Sequence, residues 1–431
     1  MSRPPVQIAS RSAAAIATLL AVAWALASCA GSRRGGTVPP EEGMEAPGRG
    51  GPPSIRVGLV ENAPDVQLRL GGPVRVTCTQ GVFGLAAGAE IRARVESGTL
   101  VLDTDGNGEL RDPERIRLEP MDDSTRTLFG ENAFHGRMEI RRAGERLALV
   151  NHIQLEDYLR GVVPWEIGWQ QPDRFAAVEA QAIAARTYAY KRLGQYAEAG
   201  FDVYADVADQ VYRGTTREDS VANHAIAATR GLVLAAGDDL AEAYYSSTCG
   251  GHTARIEAVW PKPSQSYLHG RRDAPAAGGA FCASSRHFRW SEAWSGAGLE
   301  RTLLETLPPE IGLPPDSSIG GLVDVRITAR DETGRASVLE VETTRGVYTV
   351  VGDRIRWVLR PRDRSVLRST LFRLDVERSD GVIVRVVARG GGNGHGVGMC
   401  QMGALEMAQR GVPYAGILAH YYPGTRLLRA Y

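Results

Sequence analysis

Short runs in which apolar and polar residues alternate dominate the chain between Ser54 and His152. Alternation over this length is typical of half-buried β-strands, and the Gly, Asp and Asn residues between the runs suit turns. We therefore predict a β-rich N-terminal region built from sequential short strands. The clearest runs are IRVGLV, VQLRL, IRARV, RIRLEP, RMEIRR and LALVN.

A helical pattern replaces the alternation after Leu155. Apolar residues of segment 175–189 recur at the spacing of a helix face, which predicts a helix that packs on the core. Pro172 and Asp173 precede this segment and suit the first turn of a helix. The alanines of the segment remove side-chain bulk, so other backbone can approach closely. The apolar face comprises Phe175, Val178, Ala182, Ala185 and Ala189, and further alanines stand at 180 and 184.

The rest of the chain mixes both patterns. Residues 220–229 and 400–409 have helical patterns, and strand-like runs recur within 295–390. We therefore predict an α+β protein with a β-rich N-terminal region, a central helix-plus-strand core, an additional β-rich module and a C-terminal helical segment. The predicted segments are 1–28 (signal peptide), 29–53 (disordered tether), 54–152 (β-rich region), 153–294 (core), 295–390 (inserted β-rich module) and 391–431 (glycine-rich loop and helices completing the core).

The N-terminal segment has the features of an export signal. Arg3 and Arg11 precede an apolar run over residues 13–27, which is too short for a comfortable membrane span. The run ends in Leu-Ala-Ser-Cys, which is typical of a bacterial lipobox and predicts diacylation of Cys29. An ordinary signal peptide or a short anchor is the alternative. The lipobox predicts an exported lipoprotein held to a membrane of the cell envelope by an N-terminal lipid.

The balance of positive and negative residues limits the classes of binding partner that we expect. Lys plus Arg and Asp plus Glu both number 50, so the formal net charge is +0. Nothing in this balance suggests nucleic acid or a strongly charged ligand.

Two stretches could hold metals. Asp103 to Glu114 fits the twelve-residue calcium loop, although Pro113 lies inside it and a β-hairpin is the alternative. Further on, two Cys-His pairs suit tetrahedral zinc in a closed, structural site. A disulfide between the two cysteines or free thiols are the alternatives. The zinc candidates are Cys249, His252, Cys282 and His287.

One carboxylate stands out as a candidate for acid–base chemistry. Glu166 lies between Trp165 and Trp169, in a predicted loop just before the alanine-rich helix. Flanking tryptophans would raise its pKa by desolvation, so that it holds a proton at neutral pH. The alternative is an ordinary solvated glutamate near a helix start.

Four blocks in fixed order resemble the SpoIID/LytB family of bacterial cell-wall proteins. They are LEDYLRGVVPWE (155–166), AVEAQAIAARTYA (177–189), AYYSSTCGGHTA (243–254) and GNGHGVGMCQMGA (392–404), followed by HYYPGT (420–425). The resemblance covers residues 54–431 and implies a lytic transglycosylase that cuts glycan strands stripped of stem peptides. The amidase-enhancer branch implies the alternative, a non-catalytic glycan binder that stimulates a wall amidase.

The resemblance also assigns roles to residues. It implies that Glu166 is the catalytic acid, that Arg186 handles substrate, and that zinc can bind around Cys249, His252 and Cys282. A lytic transglycosylase needs only one acid, because the muramyl C6 hydroxyl is the internal nucleophile, whereas hydrolytic glycosidases generally use two carboxylates. Further predicted substrate contacts, each with a buried structural role as the alternative, are Gln181, Tyr212, His395 and Gln401.

Overall fold

The computed structural model describes residues 51–104, 108–314, 317–363 and 366–431. The predicted signal peptide, most of the predicted tether and Cys29 lie outside these residues. Helices and several separate sheets occur together, which confirms the α+β class. Within the described ranges, no helix combines the length and apolar character needed to cross a membrane.

The N-terminal region consists of twelve strands in two antiparallel layers. One sheet has the order β4-β3-β8-β11-β12-β1, and the other has the order β10-β9-β2-β5-β6-β7. The strands are β1 (Ser54–Ala63), β2 (Asp65–Leu70), β3 (Val74–Cys78), β4 (Gly81–Leu85), β5 (Glu90–Glu96), β6 (Thr99–Thr104), β7 (Gly108–Asp112), β8 (Arg115–Pro120), β9 (Thr127–Phe129), β10 (Asn132–Phe134), β11 (Arg137–Ala143) and β12 (Arg146–Gln154).

Side-chain alternation explains why the two layers pack together. In β2, Val66, Leu68 and Leu70 are buried, while Gln67 and Arg69 between them are exposed. Strands of both sheets send such residues into one continuous hydrophobic core. The period of two in the sequence therefore defines the inner face of each sheet.

The predicted calcium loop is a β-hairpin in the structure. Strands β6 and β7 pair antiparallel, with Asp103 opposite Glu109 and Leu100 opposite Asp112. Asp112 at the end of β7 thus lies about 10 Å along the strand direction from the level of Asp103, at about 3.4 Å per residue, and Glu114 follows in the bend before β8. The flanks of the loop therefore match the β-hairpin alternative, whereas residues 105–107, which include two predicted calcium ligands, lie outside the described residues.

The helices follow the β-rich region. Short 3₁₀ turns at Pro172–Arg174, Ala197–Ala199, Gly214–Arg217 and Phe281–Ser284 join several of the elements. The helices are α1 (Leu155–Arg160), α2 (Val163–Ile167), α3 (Phe175–Lys191), α4 (Ser220–Ala228), α5 (Ile256–Val259), α6 (Gly296–Glu310), α7 (Arg354–Val358), α8 (Gln401–Gln409) and α9 (Tyr414–Tyr421).

Helix α3 is the centre of the helical core. It contacts the short helices α1 and α2 and the longer helices α4, α8 and α9. Its small residues permit this crowding: Ala180 and Ala184, which lie off the predicted apolar face, are as completely buried as Ala182 and Ala185. The sequence predicts one buried face, whereas the structure buries the middle of the helix on nearly every side.

The remaining strands complete the core and build a second one. Strand β13 pairs in parallel with β1; β15, β14 and β24 form one small sheet, and β17, β22 and β21 another. A third, of β18, β19 and β20, packs with α6 and α7 around a separate hydrophobic cluster. The strands are β13 (Val203–Tyr204), β14 (Leu232–Ala236), β15 (Asp239–Leu240), β16 (Tyr245–Ser246), β17 (Trp290–Ser295), β18 (Leu322–Arg330), β19 (Ala336–Thr343), β20 (Gly346–Val351), β21 (Phe372–Ser379), β22 (Val382–Gly390), β23 (Met399–Cys400) and β24 (Arg426–Arg429).

A short parallel pairing brings distant parts of the chain together. Strand β16 pairs with β23, so that Tyr245 lies opposite Met399 and Ser246 opposite Cys400. Gly398 makes the approach close, because a Cβ atom on it would lie 2.0 Å from the Tyr244 carbonyl oxygen, and its φ is +71°. Only glycine fits this position.

A buried ion pair links three helices of the core. Arg186 on α3 has no exposed surface, and its Nε and Nη2 atoms donate to the two Glu156 carboxylate oxygens at 2.8 and 2.9 Å. The guanidinium also donates to the carbonyl oxygens of Ile226 and Leu232. Burial raises the pKa of Glu156, but the hydrogen bonds and charge of Arg186, together with hydrogen bonds from Tyr431 and Gly231, hold the pKa below its ordinary value.

The ion pair predicts an asymmetric mutational response. Arg186→Met leaves a buried carboxylate without its cation, and we expect it to lower the free energy of unfolding by about 3–5 kcal/mol. Arg186→Met combined with Glu156→Leu should recover most of that loss, since no charge then remains buried. Arg160→Met, which removes an exposed partner of Asp157, should change stability by less than about 1 kcal/mol. Chemical denaturation followed by circular dichroism measures all three, and a small effect of Arg186→Met would contradict the assigned role.

Candidate active site

Glu166 lies on α2, a helix of little more than one turn, rather than in the predicted loop. The Val162 carbonyl oxygen accepts hydrogen bonds from the backbone N–H groups of both Trp165 and Glu166. Pro164 lies in the first turn, where its fixed φ suits a helix and its missing N–H costs nothing. Gly168, with φ of +73°, ends the helix. The sequence therefore holds Glu166 on a short rigid element.

Glu166 is half-buried, and protein encloses its carboxyl group. The backbone N–H of Val211 donates to its Oε1 atom at 2.9 Å, and the Gln401 side chain also hydrogen-bonds it. Burial raises the pKa of Glu166 from 4.5 to about 7, although both hydrogen bonds act in the opposite direction. A carboxyl group with this pKa exchanges a proton readily near neutral pH.

Two tyrosines and a glutamine form the wall beside Glu166. Tyr158 donates to the Gln210 side-chain oxygen at 3.1 Å, and the Gln210 amide donates to the Tyr245 hydroxyl at 2.7 Å. Burial, with a smaller effect of the Glu166 carboxylate, raises the pKa of Tyr245 well above its ordinary value. Both phenols therefore stay neutral next to the acid. None of these three side chains was among the predicted site residues.

Gln401 on α8 and Gln181 on α3 contact each other next to the site. Gln401 is the first residue of α8, and its Nε2 atom donates to the Gln181 side-chain oxygen of α3 at 3.3 Å. Gln181 is completely buried, and its Nε2 atom has no hydrogen-bond partner among the described residues. The structure thus brings Gln401, but not Gln181, into contact with the Glu166 carboxyl group.

His395 supports the site from behind. Its Nε2 atom contacts the Tyr245 carbonyl oxygen at 2.8 Å, and its Nδ1 atom accepts from the Val397 N–H at 3.0 Å. Burial lowers the pKa of His395 to about 4, so the ring is neutral and Nε2 carries the proton. Both nitrogens are therefore used within the protein. His395 therefore positions β16, and its predicted contact to a sugar stays a prediction.

Arg186 and Tyr212 do not lie where a ligand could reach them. Arg186 is sealed in its ion pair with Glu156, which replaces the predicted substrate contact. Tyr212 is 2% exposed, donates to the Asn151 side chain at 2.7 Å, and packs against the ring of Tyr158. Tyr212 is therefore a buried tyrosine, as the alternative interpretation predicts.

The two tryptophans beside Glu166 have different surroundings. Trp169 is 73% exposed, so it does not supply the desolvation that the sequence predicts. Trp165 is half-buried, and the Arg217 guanidinium lies 3.8 Å above its ring. Of these two tryptophans, only Trp169 therefore presents a large aromatic surface to solvent beside Glu166.

A second cluster of chemical interest lies at the N-terminal end of α8. The side chains of Cys249, Asp273, Cys282 and Cys400 are all buried, and one ligand atom from each lies within 4.8 Å of the others. This cluster contains two of the four predicted zinc ligands. It replaces the two predicted histidines with Asp273 and Cys400.

The histidines point elsewhere for identifiable reasons. His252 follows the tight Cys249 turn, and its Nδ1 atom contacts the Thr253 carbonyl oxygen at 2.8 Å. The His287 ring contacts Arg368 at 2.8 Å and Arg286 at 3.1 Å. Neither histidine belongs to the cluster, so the predicted ligand set is wrong at these two positions.

Comparison with known proteins gives the family. A family model described as "Stage II sporulation protein" matches residues 143–235, and one described as "Domain of unknown function (DUF8618)" matches residues 278–398. An uncharacterised protein of Brachyspira hyodysenteriae is 30% identical over 303 residues, which cover 68% of this chain and 72% of the relative. This chain belongs to the SpoIID/LytB family.

Two named SpoIID/LytB relatives come from Bacillus subtilis. The amidase enhancer is 29% identical over 295 residues, which cover 62% of this chain but only 40% of that protein. Stage II sporulation protein D is 27% identical over 298 residues, which cover 65% of this chain and 76% of the relative. The segment matched by the family model contains Glu166, Arg186 and Gln210. The predicted family is therefore confirmed.

The raised pKa of Glu166 predicts a pH-dependent stability. Between pH 4.5 and 7 the folded state binds a proton that the unfolded state has lost, so stability falls as the pH rises through this window. Glu166→Gln removes the cost of the buried charge. We expect it to exceed the wild type by about 1–3 kcal/mol above pH 7 and to match it below pH 4.5.

Denaturation at a series of pH values tests this stability difference. The exposed substitution Glu198→Gln should reproduce the wild-type curve. A Glu166→Gln protein that gains nothing at high pH would show that the carboxyl group is well solvated.

Proposed function

We propose that this SpoIID/LytB protein is a lytic transglycosylase that cuts peptidoglycan glycan strands stripped of their stem peptides. The observation that carries the proposal is one carboxyl group, that of Glu166, whose pKa burial raises to about 7 and which the Val211 N–H and the Gln401 amide hold in place. The near-neutral composition suits a glycan without peptide carboxylates. Family membership and the relatives' names support a role in the cell wall.

The first step needs an acid. Protonated Glu166 donates its proton to the glycosidic oxygen, and the bond to the muramyl C1 atom breaks. The hydrogen bonds from Val211 and Gln401 favour the carboxylate that this step creates, while burial favours the acid that precedes it. These opposing effects keep the pKa near the working pH, where general acid catalysis is most efficient.

The second step needs a base, and the same side chain supplies it. The Glu166 carboxylate takes the proton of the muramyl C6 hydroxyl as its oxygen bonds to C1 and closes the anhydro ring. No second carboxylate is required. Asp209, two residues before Val211, is engaged within the protein: its side chain is 2% exposed and accepts hydrogen bonds from the Tyr188 hydroxyl and the Tyr204 N–H.

Substitution of the acid tests the reaction. Glu166→Gln keeps the size of the side chain but removes the proton, so release of anhydro-ended fragments should fall at least about 1,000-fold, within the range of one acid–base group and its electrostatic effect. Wild-type activity should decline above pH 7, because the protonated acid disappears. Mass spectrometry of fragments from purified stripped strands measures both.

A matched carboxylate controls for general effects. Glu179 on α3 is also half-buried with a raised pKa, because burial outweighs the effect of His224, yet no hydrogen bond joins it to the Glu166 site among the described residues. Glu179→Gln should retain most of the activity. Unchanged fragment release by Glu166→Gln would contradict the catalytic assignment.

Exposed Trp169 provides a surface for a sugar ring. Aromatic faces bind the apolar faces of sugars, and Trp169 follows the acid by three residues. Trp169→Ala should weaken binding of stripped glycan about tenfold, worth about 1.4 kcal/mol, without changing the melting temperature. Trp357, which is 40% exposed on α7, is the control, and Trp357→Ala should bind normally. Equal binding by both variants would argue against a sugar contact at Trp169.

Stimulation of a wall amidase is the second candidate function. The relative named amidase enhancer favours it, although this chain spans only 40% of that protein. A pure enhancer would raise the activity of a purified amidase on intact wall material equally well with Glu166→Gln. Attachment to a membrane through a lipid on Cys29 would suit either function.

A further inference from the structure

Three cysteines and one aspartate from separate segments meet beside the Glu166 site. Cys249 follows β16, Asp273 and Cys282 lie in the long connection before β17, and Cys400 ends β23. The three thiols are completely buried, as is Asp273. Unpaired thiols and a carboxylate gathered in a protein interior need a reason, because burying a charge costs free energy unless the charge is compensated.

The spacing of the ligand atoms fits a tetrahedral metal site. The Sγ atoms of Cys249 and Cys282 are 3.7 Å apart and not bonded to each other, and Cys249 Sγ lies 3.1 Å from Asp273 Oδ2. Two sulfurs that are each about 2.3 Å from one tetrahedral zinc lie about 3.8 Å apart. The group therefore approximates the shell of a thiolate-bound metal ion.

The surrounding hydrogen bonds suit metal ligands. The backbone N–H of Cys249 donates to Cys400 Sγ at 3.2 Å, and the Gly251 N–H contacts Cys249 Sγ at 3.4 Å. Asp273 Oδ1 contacts the His420 ring at 3.1 Å and accepts from the Tyr421 hydroxyl at 2.9 Å, which leaves Oδ2 directed at the thiols. Such outer contacts orient ligands and stabilise their anionic form.

Two further features adapt the fold to this cluster. Arg335 is 2% exposed and donates to the carbonyl oxygens of Cys249 and His252, so a buried cation lies beside the anionic ligands. Gly403 on α8 leaves space for Asp273, since a Cβ atom there would lie 2.7 Å from Asp273 Oδ2. The cluster is thus supported by both the central core and the module that carries β18 to β20.

We propose that Cys249, Asp273, Cys282 and Cys400 bind one structural divalent metal ion of the zinc class. Three thiolates and a carboxylate fill a tetrahedral shell, which leaves no open position for catalysis. The ion fixes Cys400, and Cys400 immediately precedes Gln401, which hydrogen-bonds Glu166. The site therefore holds one side of the acid's surroundings in place, and it stands whether or not the protein cuts glycan.

Metal analysis tests this site without any activity assay. The purified full-length protein is reduced, incubated with zinc and freed of excess metal, and its metal content is measured by mass spectrometry. We expect about one zinc per chain, and a lower melting temperature after a strong chelator removes it. Cys282→Ser and Cys400→Ser should weaken zinc binding by at least about 100-fold, and Asp273→Asn about tenfold or more.

Cys78 provides the matched control, because it is a half-buried thiol on β3 outside the cluster. Cys78→Ser should bind zinc as the wild type does. Cobalt in place of zinc should show the visible absorption of a tetrahedral thiolate complex in the wild type and in Cys78→Ser. These measurements on the wild type remain informative even if a cluster variant fails to fold.

Three results would overturn the proposal. The reduced wild type could take up no zinc, Cys282→Ser could bind as much zinc as the wild type, or metal-free protein could contain a Cys249–Cys282 disulfide that persists as its stable form. Peptide mapping without reduction distinguishes the disulfide. Failure of glycan cutting with intact zinc binding would count against the proposed function alone.

Discussion

The close packing around α3 is the constraint on which the rest of the core depends. Alanines allow helices and strands to approach it from several directions, and this leaves no room for water around Arg186. The guanidinium can be buried there only because Glu156 meets it with both oxygens. Helix α1, which carries Glu156, is thereby fixed against α3, and α2 with Glu166 follows it directly.

The candidate site combines rigid support with limited access. Glu166 receives its hydrogen bonds from two distant segments, the backbone at Val211 and the side chain of Gln401. His395 and Gln210 form their hydrogen bonds within the protein. His395 holds the Tyr245 carbonyl oxygen and Gln210 holds the Tyr245 hydroxyl. Most polar residues around the acid therefore position other residues, and few remain to contact a ligand.

Local pattern made part of this structure predictable. Alternation predicts the N-terminal strands, and helical spacing predicts α3 and α8. The tryptophan-flanked motif points to Glu166, whose pKa the structure raises. The sequence does not reveal that Arg186 forms a buried ion pair, because its partner, Glu156, comes 30 residues earlier in the chain. A charged residue in an apolar helix indicates either a ligand or a buried partner, and only the tertiary packing decides between them.

The same reason explains why the set of candidate metal ligands differs from the predicted one. Cys249 and Cys282 each have a histidine nearby in the sequence, so the local pattern predicts a site of two cysteines and two histidines. Asp273 carries no sequence signal, and Cys400 lies 151 residues from Cys249. Candidate ligands that long-range strand pairing brings together have no characteristic spacing in the sequence, so no motif reveals them.

The pairing of β16 with β23 has a consequence for the order in which the protein folds. These strands are separated by about 150 residues, and the intervening stretch builds a hydrophobic core of its own. Contacts between such distant residues form late, because closing a long loop is entropically costly. Nascent protein would thus already possess its β-layers while Glu166 still lacked Gln401 beside it, and the surroundings of Glu166 would be complete only after residues near 400 had docked.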